Sequence, residues 1–125
     1  VIDEKKLTLS SISDFRERKI GDEWISNFHE YCERQWEDFD YKLRNGESLK
    51  ETQKRNVAAL KLVLSKYQDQ TMIIGGHGTA IGSVINYYDP SFKYEAFAMI
   101  QPKNPFIVKM NFDGEKYLEY KVVTF

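Results

Sequence analysis

Cysteine is almost missing from this 125-residue chain. The single residue, Cys32, excludes an internal disulfide framework and a zinc site built from thiolates. A reducing, cytoplasmic setting is the simpler expectation. Histidine is nearly as scarce. His29 and His77 stand far apart among scattered carboxylates, which does not make a metal site. No apolar run approaches the roughly 18 residues that a spanning helix needs, and the polar start at Val1–Lys6 has no secretory core. An excess of one charge is lacking too: 18 basic and 19 acidic residues leave a net charge of −1. With the basic residues dispersed, neither nucleic acid nor an anionic membrane is an expected partner. The chain opens at Val1 with no initiator methionine, so a piece of a longer protein is the expectation.

What is present suits one folded domain over residues 1–125. Hydrophobic residues make up 42% and aromatics 14%, enough for a core. Lys6–Ile12 alternates polar and apolar residues and predicts a short strand. Ser13-Asp14 begins a turn or short helical segment that Gly21-Asp22 breaks. Over Glu23–Lys42, the residues Trp24, Phe28, Tyr31, Cys32, Gln35, Trp36 and Phe39 recur at helical spacing, which predicts a helix with an aromatic stripe toward the core. Ser48-Leu49-Lys50-Glu51 is a capping box, and it opens a helix reaching about Tyr67. Thr71–Ile74 is an apolar run between turn signals and predicts a buried, central, parallel strand. A helix over Ala80–Tyr88 stops before Asp89-Pro90, and a short one follows at Tyr94–Ile100. Alternation on both sides of Asp113-Gly114 predicts a closing antiparallel hairpin. This order gives an α/β domain with a sheet covered by helices.

Two segments carry chemistry. In Ile73–Ser83 a strand hands over to a helix through Gly75-Gly76-His77-Gly78-Thr79. Glycines let a ligand approach the backbone, and the unpaired N–H groups of a new helix favour an anion such as phosphate. Taken alone, His77 also fits a residue that merely caps or packs a tight turn. A P-loop is excluded because no lysine follows Gly82. The dinucleotide pattern beginning at Gly76 would end on Ile81, and a nucleophile elbow would need serine at 77. In Asp14–Gly21, Glu17 lies among Arg16, Arg18 and Lys19. A solvated charged turn explains it, and so does a carboxyl that gives a proton to a leaving oxygen beside an arginine that holds an anionic substrate.

Together these segments resemble the histidine phosphatase (phosphoglycerate mutase-like) family. Four segments appear in the family's order: Phe15-Arg16-Glu17-Arg18-Lys19-Ile20-Gly21, the region with Trp24 and Trp36, Gly46-Glu47-Ser48 with Arg55, and the apolar run ending in His77-Gly78. The resemblance covers nearly the whole chain, most weakly after Tyr88. It implies a three-layer α/β/α sandwich with a mostly parallel sheet, incomplete at its N-terminus and ending in an antiparallel hairpin. It implies phosphoryl transfer through a phosphohistidine, with no cofactor or metal and a phosphorylated small molecule as substrate. His77 is similar to the histidine that hydrogen-bonds the transferred phosphoryl group, and Glu17 to the acid that protonates the leaving group. Gly78 and Thr79 match positions offering N–H groups to phosphate, and Arg18 a substrate-binding arginine of the mutase branch. The family's nucleophile lies in an Arg-His-Gly motif that this sequence lacks. The resemblance places that motif, with roughly a third of the domain, ahead of the segment matching Val1–Ile12. The short stretch between Glu17 and His77 favours a phosphatase over a mutase. A non-catalytic phospholigand-binding module and a nucleotide-binding domain are the alternatives. With a neighbouring strand absent, Thr71–Ile74 is expected to pair with a second copy or with the preceding segment.

Overall fold

A computed structural model describes residues 9–103 and 105–123. After a short 3-10 turn at Ser13–Phe15 come helices α1 (Phe28–Glu37), α2 (Leu49–Lys66), α3 (Gly78–Tyr88) and α4 (Tyr94–Ile100). The strands β1 (Ile107–Asp113) and β2 (Lys116–Val123) close the chain as an antiparallel hairpin. Among the described residues no helix is long and apolar enough to cross a membrane.

Helix α2 forms where its capping box predicts. The Ser48 hydroxyl accepts the Glu51 N–H and the Glu51 carboxylate accepts the Ser48 N–H, each at 3.1 Å. Two of the donors stranded at a helix start are satisfied this way. Its apolar side packs on α3 through Val57, Leu60, Leu64 and Val84. Gln53 clamps the same pair of helices by donating to the Ser83 carbonyl and to Asn86 Oδ1, at 2.8 and 3.0 Å.

A second cluster joins Trp36, Leu49, Ile85, Phe92, Phe97 and Ile100. Gly82 makes this contact possible. A Cβ there would stand 2.9 Å from Phe97 and 3.2 Å from Trp36, so α3 closes on those rings only with no side chain between. The hairpin covers both clusters, placing Val108, Tyr120 and Val122 on one and Met110 and Phe112 on the other.

The α/β class stands as a mixed helix-and-strand fold, but several expected elements differ. Among the described residues the only sheet is β1–β2, so a parallel sheet is not seen there. The run at 71–74 is not a buried strand. It has no regular structure, and Ile73 is 94% exposed. A strand is stabilised by hydrogen bonds to its neighbours, and no described segment pairs with this one. Residues 9–12 likewise form no strand, while residues 6–8 of that expected element lie outside the described residues.

The aromatic helix is shorter than its periodicity predicts. Tyr31, Cys32, Gln35 and Trp36 are buried, but Trp24 precedes the helix and is 87% exposed. The alternation in β2 is broken as well. Asn111 faces Glu119 and Phe112 faces Tyr117, which leaves Leu118 as a bulged, exposed residue. Tyr117 thereby turns inward and stacks on Tyr88.

Candidate functional site

Glu17 lies in an irregular stretch that begins after the 3-10 turn, so something other than secondary structure must fix it. A latch built from Gly46, Glu47 and Arg55 does so. The Lys19 N–H donates to Glu47 Oε1 at 2.9 Å, and the Glu47 N–H donates back to the Lys19 carbonyl at 2.7 Å. Arg55, on α2, grips the Glu47 carboxylate through Nη2 at 2.9 and 3.1 Å. Its Nη1 donates to the carbonyls of Asp14 and Arg16, each at 2.9 Å. Gly46 is required by close approach, since a Cβ would fall 2.2 Å from the Ile20 carbonyl oxygen.

The latch carries a stability prediction. Arg55→Ala leaves the partly buried Glu47 carboxylate without its counter-charge and two carbonyls without donors. Unfolding in urea is expected to show a loss of about 2 kcal/mol. Arg55→Lys recovers little of it, because an ammonium cannot reproduce the fork. A midpoint unchanged by Arg55→Ala would mean that the latch contributes nothing.

The held carboxylate reaches the start of α3. Glu17 Oε2 accepts the Thr79 N–H at 3.0 Å, while Oε1 accepts the Arg18 N–H at 2.9 Å. Thr79 is the second residue of α3, so its N–H is one of the donors that the helix leaves unpaired, and a negative charge there is favoured by the helix dipole. His77 is the N-cap of the same helix, with extended backbone (φ −124°, ψ 153°) and no capping hydrogen bond from its side chain. Its imidazole is exposed. Chain segments 62 residues apart in sequence thus meet at one helix mouth: Glu17 contacts Thr79, and Thr79 follows His77 and Gly78.

Arg18 faces inward. Its side chain is 3% exposed, with Nη1 3.7 Å from Glu17 Oε1. Nε donates to Gln35 Oε1 at 2.7 Å and Nη2 to Cys32 Sγ at 3.3 Å. The guanidinium also lies over the rings of Tyr31 and Phe28, at 5.4 and 5.8 Å. In this structure it braces Glu17 from behind and does not meet the solvent. Gln35 completes the brace by donating to the carbonyls of Tyr41 and Glu47. Burial pushes the Cys32 thiol above its ordinary pKa and Arg18 opposes that only in part, so the thiol stays protonated at neutral pH.

Reading the sequence missed the parts played by Gln35, Cys32, Glu47 and Arg55. Gln35 and Cys32 sat within the aromatic stripe, and the only available signal was their polarity on an otherwise apolar face. Glu47 and Arg55 were visible as motif residues with no role attached.

Neither a curated protein nor a solved structure matches the chain. The family model of the histidine phosphatase superfamily (branch 1) matches residues 1–123. That span takes in Glu17, the latch and the His77 turn, and the chain belongs to the histidine phosphatase superfamily.

Proposed function

We propose that this chain supplies the proton donor and the second histidine of a metal-independent phosphomonoesterase that works through a phosphohistidine intermediate. Membership of the superfamily supports phosphatase- or mutase-like chemistry. The observation that carries the residue roles is the 3.0 Å bond from the Thr79 N–H to Glu17, which sets a carboxyl beside the His77 turn.

The nucleophilic histidine would come from outside these 125 residues. It attacks phosphorus, and the P–O bond to the alcohol breaks as Glu17, which enters the step protonated beside the negative charge of the bound phosphoryl group, gives its proton to the departing oxygen. His77 donates to the phosphoryl oxygens and offsets their charge, with the Gly78 N–H beside it. When Glu17 turns toward the leaving group, the Thr79 N–H becomes available to a phosphoryl oxygen. Glu17, now a carboxylate, next takes a proton from water as that water attacks the phosphohistidine, which frees phosphate and restores the histidine. Arg18 acts by holding Glu17 in place.

Phosphatase is preferred to mutase because the mutase branch carries an insertion that the short stretch between Glu17 and His77 does not match. The exposed run at 71–74 supports pairing with a further strand, from the rest of the domain or from a second copy. Such pairing would build the parallel sheet of a three-layer α/β/α sandwich.

The full-length protein is expected to hydrolyse an aryl phosphate in the presence of a chelator and to carry an acid-labile phosphoryl group when quenched during turnover. Absence of both would overturn the reading, and retained phosphate binding without turnover would leave a binding module in its place.

A further inference from the structure

A hollow of about 40 Å³ opens beside the Glu17 cluster, between α1 and α4. Buried Cys32, Thr79 and Phe97 form its inner part, and Phe28, Tyr94 and Ala98 stand around it. His29 and Gln101, both exposed, complete the lining. Two of these residues belong to the cluster itself. The Thr79 N–H holds Glu17, and Cys32 Sγ accepts from Arg18. A group bound to the phosphorus at the start of α3 therefore has this hollow next to it.

We propose that the hollow receives the alcohol part of the phosphomonoester, and that this part is short and uncharged. The inference rests on the proposed phosphomonoesterase reading and adds the substrate class to it. The first argument is charge: among the described residues no Lys, Arg, Asp or Glu lines the hollow. The Arg18 guanidinium behind Cys32 is already bound to Gln35 and Cys32 and faces Glu17. A carboxylate entering the hollow would lose water with no counter-charge to replace it. For the same reason the hollow does not suit the phosphate group itself.

The second argument is size. The hollow is small, about 40 Å³, which suits a short alkyl or polyol fragment. The third is chemistry. The Phe28, Tyr94 and Phe97 rings offer apolar faces, while His29 and Gln101 can each donate to or accept from a hydroxyl. His29 becomes a specificity-determining residue on this reading.

Glycerol 3-phosphate and 3-phosphoglycerate make a matched pair of probes, similar in size but with a neutral or a carboxylated tail. With the full-length protein, kcat/KM is expected to favour glycerol 3-phosphate by about tenfold or more. Ala98→Leu fills the hollow and is expected to raise KM for that ester by about tenfold, with kcat changed far less. Gln101→Ala, at an exposed position that does not endanger folding, should raise KM in the same direction by a smaller factor.

Equal use of the two esters, or an unmoved KM in both variants, overturns the inference while Glu17-dependent turnover leaves the phosphatase reading in place. No hydrolysis of these esters or of an aryl phosphate removes both together.

Discussion

Glu17→Gln in the full-length protein is expected to lower kcat on alkyl phosphates by about 10²- to 10⁴-fold, the usual worth of a positioned proton donor. Glutamine keeps the size of the side chain and its amide oxygen can still accept the Thr79 N–H, but its NH2 cannot accept the Arg18 N–H as the second carboxylate oxygen does. The transferable proton disappears with that contact. The loss should therefore depend on the leaving group. It is large for an alkyl ester, whose alkoxide leaves poorly, and much smaller for a nitrophenyl ester, whose phenolate needs little help. Steady-state rates across such a series, with thermal unfolding of the variant alongside, separate this from misfolding. A loss of the same size for every leaving group would show that Glu17 supports structure and does not deliver a proton.

His77→Ala is expected to cost about 10²- to 10³-fold in kcat, the scale seen on removing one donor to a developing anionic charge. Here the loss should be nearly the same for alkyl and aryl esters, because in the proposed mechanism the imidazole acts on the phosphoryl group that all of them share. The variant should fold normally. His77 is exposed and its side chain makes no capping bond, so truncation deprives α3 of nothing that it uses. Single-turnover rates on the two ester classes give the comparison, and turnover equal to wild type would remove His77 from the chemistry. The two substitutions thus leave different signatures across one substrate series.

The parts of this molecule that were legible in the sequence are those set by near neighbours. The Ser48–Glu51 capping box decides the start of α2 within four residues, and Gly114, at φ +62°, turns the hairpin locally. The run at 71–74 misled because apolarity declares a wish for burial and not the presence of a partner. Among the described residues no strand lies beside it, so its backbone has nothing to pair with there, and Ile73 faces water. In β2 a single bulged residue, Leu118, inverts which side chains point inward, a change that simple alternation cannot foresee. At the site, Glu17 and the His77 turn were recognisable as separate motifs. Their meeting depends on the Gly46–Glu47–Arg55 latch, which joins positions close in space and not in sequence. Arg18 was expected to hold an anionic substrate or to belong to a solvated charged turn, because its charge is plain in the sequence, while the Gln35, Cys32 and ring contacts that draw it inward are not.

Arg55 ties the acid to α2, whereas the imidazole rides at the head of α3, and the two helices touch through Val57, Leu60, Leu64 and Val84. The gap between the Glu17 carboxylate and the His77 imidazole, the proposed proton donor and phosphoryl-binding group, is therefore gauged by oily side chains well below the surface as well as by the Thr79 N–H. Evolution could retune reactivity here by trading one methyl group for another in that seam, with every residue that meets substrate left as it is.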